Sequence, residues 1–235
     1  MHTINKTTKG EIPIKKIVLK TLCLALSAVI LLTLASCKKE APKTGIERIY
    51  SSVDFNNNGK DDYTDFLNGA RADAIALPTY DDSYFEGGYP PDNIGVCSDV
   101  IWRAFREAGY SLKDMVDADI ARDLEAYVDI NKPDPNIDFR RVVNLRVFFG
   151  KYAVSLTTDI EDFSAWQPGD IVVFGRNTHI GIVSDKRDAE GHSYIIHNSG
   201  QAEREEDYLG RQNVAAHYRF DASKVPAEVL YRWKN

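Results

Sequence analysis

The chain is poor in cysteine. Three thiols stand in 235 residues, Cys23, Cys37 and Cys97, and no two are spaced as Cys-x-x-Cys. That excludes a disulfide framework and a paired zinc motif. Basic excess is also missing: 29 Lys and Arg face 35 Asp and Glu, for a net charge of −6. A nucleic-acid partner is therefore not expected, since such binders carry a basic face. There is no internal repeat and no low-complexity segment. The longest apolar run, Thr21 to Ala35, is short of the roughly 20 residues that span a bilayer.

That run nevertheless has an assignable purpose. Lys6, Lys9, Lys15, Lys16 and Lys20 precede it, and Leu34-Ala35-Ser36-Cys37 closes it. A basic n-region, a short apolar h-region and a small-residue ending make residues 1–36 a signal segment. The ending resembles the lipobox of bacterial lipoproteins, which implies cleavage before Cys37, acylation of its sulfur and anchorage in the cell envelope. The other reading is an uncleaved anchor helix. Residues 37–47 would form the lipidated tether, and 48–235 are long enough for one domain. Loss of the leader removes five basic residues and one acid, leaving a net charge of −10, an acidity that favours solubility.

Ahead of Cys97 lies a loop with oxygen ligands in EF-hand order. Asp54, Asn56, Asn58, Asp62 and Asp65 fall at positions 1, 3, 5, 9 and 12, Gly59 falls at 6, and Lys60 would offer its carbonyl at 7. Position 12 is Asp rather than Glu, and Asp61 stands at 8 where an apolar residue is usual. The loop resembles the Asp-rich loops of dockerins more than a sensor EF-hand, and a structural calcium is expected. The other reading is an Asn/Gly/Asp turn that caps a helix. An alanine-rich helix is expected from Phe66 to Leu77, stopped by Pro78.

With Cys23 and Cys37 assigned to export, Cys97 is the one thiol left over. Apolar residues at 97, 100, 101, 104, 105 and 108 mark one face of a helix that opens at Cys97, after an irregular stretch from Tyr80 to Gly95, and stops at Gly109. A cysteine in the first turn lies among unpaired N–H groups at the positive end of the dipole. Those groups favour a thiolate and can receive an oxyanion. The bland reading is a small buried residue opening a core helix. Further helix is expected over 111–130. Arg140 and Arg141 come next, suited to a substrate carboxylate or to pairing with local acids. Asp99 would pair with Arg103, hold the loop or touch substrate.

Trp166 to Asp170 reads as a turn feeding an apolar strand. His179 opens a second strand, and Tyr194-Ile195-Ile196-His197 ends a third. Antiparallel pairing would bring His179 and His197 together, completing a nucleophile, base and orienter with Cys97. Asn198 is the competing orienter. Asp170 is expected to cap its turn, and His192 and His217 to be non-catalytic. A Cys/His/His zinc site is a further reading, weakened by having three ligands.

Cysteine at a helix start, a Pro-Gly-Asp turn into a strand, His-Ile-Gly-Ile-Val and then Ile-Ile-His resemble the NlpC-type, papain-like cell-wall cysteine peptidases over roughly residues 80–200. The nearer likeness is to an uncharacterised domain-of-unknown-function branch, with Gly-Gly-Tyr-Pro-Pro upstream of the cysteine. The resemblance implies an α+β fold, with the cysteine helix packed on a small antiparallel sheet. It implies Cys97 as nucleophile, His179 as base and His197 as third member. Ser98 would assist at the oxyanion, with Tyr84 or Tyr89 as the family's upstream tyrosine. Gly95-Val96-Cys97-Ser98-Asp99 departs from the family's Asp-Cys-Ser-Gly. The implied protein is a monomeric envelope lipoprotein that cleaves an amide, expected in peptidoglycan stem peptides, without a required cofactor. Rival expectations are a ligand-binding lipoprotein that performs no chemistry, and an amidase or acyltransferase of the same fold.

Overall fold

The computed structural model describes residues 45–234. The signal segment, the lipidation site Cys37 and the start of the tether lie outside the described residues. Packing begins by residue 47, where the Glu47 carbonyl accepts from Gln167 Nε2 and Ile49 N donates to Gln167 Oε1.

The architecture is α+β. Helix α1 (Asp62–Ala76) is capped by Asp61, whose carboxylate accepts from the N–H groups of Tyr63 and Thr64. It ends at Leu77, which takes a left-handed φ of 50°. The helix begins a turn before the apolar pattern suggests, because the cap and not the pattern sets its start. Strands β1 (Thr79–Tyr80) and β2 (Ile94–Gly95) pair in parallel and bracket the irregular loop. Helix α2 (Cys97–Glu107) begins at once after them, and Gly109, at φ 86°, turns the chain beyond it. Helix α1 crosses α2 closely: a Cβ at Gly69 would sit 2.7 Å from Glu107 Cβ.

Helix α3 (Leu112–Arg122) is shorter than expected, with a 3₁₀ turn at Leu124–Ala126 replacing its last turns. Helix α4 (Val142–Tyr152) takes the segment after Arg140 and Arg141. Six strands form the main sheet: β3 (Val154–Ser155), β4 (Ile171–Phe174), β5 (His179–Arg187), β6 (Ser193–Ile196), β7 (Glu205–Glu206) and β8 (Val214–Arg219), in the order β3-β8-β4-β5-β6-β7 with every pairing antiparallel.

The two faces of the sheet bury different cores. Ile171, Val173, Ile180, Ile182 and Ile196 join the helices' Val100, Ile101, Ala104 and Phe105. The alternate residues Val172, Phe174, Val183 and Ile195 pack with Trp166, Tyr208 and Leu209. Among the described residues no helix is long and apolar enough to cross a membrane.

Candidate active site

Cys97 is the first residue of α2, and 7 % of its surface is exposed. Val96, the residue before it, carries no polar cap. Asp99 takes that function from within the helix, its Oδ2 accepting from Val96 N at 2.7 Å. Asp99 also accepts from Trp102 Nε1 and from Arg140 Nε and Nη2 at 2.7–2.9 Å. The fully buried carboxylate is thus satisfied on every side, and it locks the loop entering Cys97. Arg140 is consumed in this pair and not left for a substrate. Arg103 does not pair with Asp99. It bonds Asp73 and the carbonyls of Pro91 and Ile94.

The thiol faces three backbone N–H groups, those of Ile180, Ser98 and Cys97 itself. They favour the thiolate, but burial outweighs them and pushes the thiol up to about 11. The helix start therefore does not yield the low-pKa thiol its position suggests.

On the sheet, His179 and His197 meet. His179 opens β5 and His197 comes directly after β6, with Nε2 of the first 2.8 Å from Nδ1 of the second. Extending the register Ile182↔Ile196 sets Gly181 opposite His197. A side chain at 181 would have its Cβ 3.2 Å from His197 Cβ and 2.6 Å from Ile195 Cγ2. The glycine of His-Ile-Gly-Ile-Val is what lets the second imidazole in. Burial lowers His179 to about 4. Burial, then the charge His179 would carry, lowers His197 to about 3. Both rings are neutral at pH 7.

His197 Nε2 in turn lies 3.3 Å from Glu206 Oε1, and Glu206 Oε2 accepts from Arg211 Nη1 at 2.6 Å. Among the described residues the His197–Glu206 pair makes no hydrogen bond, but its charge favours the proton of His197 on Nε2. Nδ1 of that ring is then an acceptor, so His179 donates from Nε2 and keeps a lone pair on Nδ1. Gln201 Nε2 lies about equally far from both His197 nitrogens, at 3.2 and 3.3 Å, and selects neither tautomer. Tyr208 packs against His197 at 4.1 Å between ring centres, tilted by 41°, and stands 5.5 Å from His179.

Thiol and imidazoles reach the start of β5 from its two sides. Ile180 belongs to the α2 face, His179 to the Tyr208 face. Among the described residues no hydrogen bond joins the thiol to His179. The Tyr208 phenol lies within electrostatic reach of a charge on Cys97. Cys97, His179 and His197 do not group as a metal-ligand set.

The other expected residues take different places. Asn198 bonds neither histidine: its Nδ2 donates to Gly95 O at 2.9 Å, and its Oδ1 accepts from Arg204 and Gly200 N. It pins the loop before Cys97. Ser98 is buried and its hydroxyl has no partner. Tyr84 is exposed and bonds Asp134 and Asn136. Tyr89 packs among Trp102, Phe139 and Trp233. Neither tyrosine is at the thiol. Tyr80 pairs with Gly95 in the β1–β2 ladder, and a charge on Cys97 adds to the burial that raises its ionisation, so the phenol is within electrostatic reach of the thiol. Asp170 holds its turn by accepting from Gln167 N, and also bonds His217 and Arg219. His217 stacks on Trp166, and His192 pairs with Asp188 and Glu161. Both are structural. Glu206, Tyr208 and Tyr80 escaped the sequence reading. The Glu205-Glu206 pair, in the polar stretch ahead of β8, carries no local sign that it faces a histidine.

Comparison with known proteins places this geometry in a family without assigning it a reaction. The chain is 36 % identical over 162 residues to the uncharacterized protein YijF of Escherichia coli strain K12, an alignment covering 65 % of this chain and 78 % of the relative. No solved structure gives a significant match. The family model that matches is described as a domain of unknown function, DUF1287, and it spans residues 67–220, from α1 through β8 and including Cys97, His179, His197 and Glu206. The chain belongs to that family, DUF1287.

Proposed function

We propose that this chain is a papain-like, NlpC-type cysteine hydrolase of the bacterial cell envelope that cleaves an amide in peptidoglycan stem peptides. The observation that carries the reading is the His179–His197 hydrogen bond, with the Glu206 carboxylate 3.3 Å beyond it, beside the strand start whose Ile180 N–H faces the Cys97 sulfur. Such an arrangement leaves one imidazole lone pair for a proton and places a carboxylate to stabilise the resulting cation. The fold likeness, the lipid anchor on Cys37 and the substrate class rest on the sequence resemblance.

In this mechanism the thiol proton passes to His179 Nδ1 as Sγ bonds the amide carbon. Burial raises the thiol to about 11 and lowers His179 to about 4, so both rest neutral and transfer in the resting site is uphill. Proton transfer therefore accompanies attack and does not precede it. The oxyanion is received by the N–H of Cys97 and its neighbours, with the Tyr80 hydroxyl as the side-chain donor. The tetrahedral intermediate collapses as His179 returns the proton to the leaving amine. Water then cleaves the thioester, giving one proton to His179, which restores the thiol.

The lack of a hydrogen bond between thiol and imidazole among the described residues favours a second reading, a lipoprotein that holds a ligand and performs no chemistry. Muropeptide analysis after incubating peptidoglycan with the protein and with Cys97→Ala separates them. Stem-peptide fragments absent from the variant support hydrolysis and name the bond. An unchanged profile, with no turnover of other amides, leaves the ligand-holding reading.

A further inference from the structure

Asp65 is 1 % exposed, and its Oδ1 has no hydrogen-bond partner. It forms no ion pair with any described Lys, Arg or His. A buried carboxylate without a cation is costly, and beside this one stand two amides that now present Nδ2, their oxygens accepting from Asn58 N and Lys60 N with a lone pair each to spare for a metal. Asn56 Nδ2 and Asn58 Nδ2 both reach Asp65 Oδ2 at 2.9 Å. Positions 3, 5 and 12 of the loop are thereby gathered at one point. Asp54 holds the turn with both oxygens, accepting from Asn58 N at 3.0 Å and Gly59 N at 2.8 Å, and each oxygen keeps a second lone pair. Glu107 adds to the negative field at the Asp65 carboxylate and Lys60 offsets it. Asn58, Gly59 and Lys60 are exposed, so an ion has a path in.

We propose that residues 54–65 bind one calcium ion through Asp54, Asn56, Asn58, the Lys60 carbonyl and Asp65. Asp62 is removed from the expected set: its Oδ1 accepts from Phe55 N at 2.9 Å and its Oδ2 from Tyr110 Oη at 2.6 Å. Asp61 at position 8 is explained as the cap of α1. Two carboxylates, two amides and a carbonyl make a weakly charged set, which is why no three His, Cys, Asp or Glu side chains among the described residues group as ligands. So low a ligand charge belongs to the weak range of such loops, on the order of 0.1–1 mM. Asn56 Nδ2 also donates to Glu107 O at 2.8 Å, the last residue of α2, and Phe55 stacks on Tyr110 at 4.0 Å. The ion would brace the end of the cysteine helix far from Cys97, so the site stands independently of the catalytic reading.

The test is thermal unfolding of the purified protein in EDTA, calcium or magnesium, with calorimetric titration of calcium. Calcium should raise Tm saturably, by about 4–7 °C at a twentyfold excess over Kd, with one site per chain. Asp65→Asn should keep the EDTA Tm or raise it, and lose the calcium response; Asp54→Asn gives the same readout should Asp65→Asn not fold. Cys97→Ala should respond as the parent does. No rise at 10 mM calcium, an equal rise with magnesium, or an undiminished response in the substituted chains would overturn the site.

Discussion

The thiol of Cys97 should react as a protonated, buried group, and its alkylation by iodoacetamide measures this without knowledge of the substrate. The thiol lies near 11, so about one molecule in 10⁴ is thiolate at pH 7, against about 3 % for a free cysteine near 8.5. A more basic thiolate is the better nucleophile, by roughly tenfold over this interval. The net expectation is alkylation about 25-fold slower than that of free cysteine at pH 7. The rate should climb close to tenfold per pH unit from 7 to 10. Mass spectrometry of the peptide carrying Cys97, sampled over time at each pH, gives the rate, and Cys97→Ser supplies the blank. Since both histidines are already neutral above pH 5, no second inflection should appear near 6. A fast rate that is flat between pH 5 and 8 would mean a standing thiolate–imidazolium pair, and would refute both the neutral resting site and the coupling of proton transfer to attack.

Three further outcomes are expected. By NMR, the ring protons of His179 and His197 should not shift appreciably between pH 8 and 6, because burial holds both imidazoles below that window, whereas His192, whose burial is outweighed by the bonds to Glu161 and Asp188 that raise it, should titrate above an ordinary imidazole; movement of the first pair in the ordinary imidazole range would remove the burial argument. Arg140→Ala leaves the Asp99 carboxylate buried without its cation and should lower stability by about 3–5 kcal/mol in urea unfolding, while Asp99→Asn with Arg140→Met together should cost less; an Arg140→Ala loss under 1 kcal/mol would show that Asp99 is solvated. Glu206→Ala should reduce stem-peptide cleavage about 10- to 100-fold in kcat with little change in KM, with Glu206→Gln in between, since its amide oxygen can still accept from His197; unaltered kcat in both would take Glu206 out of the relay.

Much of this site was legible in order along the chain, because its parts are local. The helix beginning at Cys97 is predicted by a 3.6-residue apolar period after a polar loop. The strands ending or opening at His179 and His197 are predicted by short β-branched runs between turns. What the sequence does not disclose is which neighbours the fold delivers. Tyr84 and Tyr89 lie nearer to Cys97 in sequence than Tyr80 does, yet a two-residue parallel ladder ties Tyr80 to Gly95, two residues before the cysteine. Glu206 reaches His197 through a strand of two residues, too short to leave a periodic signature. The dipole argument for a thiolate fails because it counts the N–H groups and not the water removed from the sulfur. Asp62 fits the calcium spacing on paper, but Tyr110, forty-eight residues away, claims it.

The sheet's strand order also governs when the protein can become itself. Strand β8, among the last residues of the chain, is inserted between β3 and β4, and Trp233 N donates to Gly109 O at the foot of the cysteine helix. Until residues 214–219 arrive, β4 has an open edge and β3 has nothing to pair with. A chain still being synthesised can form the Cys97 helix early, yet its sheet stays unfinished until β8 is made. Completion of the sheet, and of the histidine pair that rests on it, therefore waits for the last strand of the sequence order.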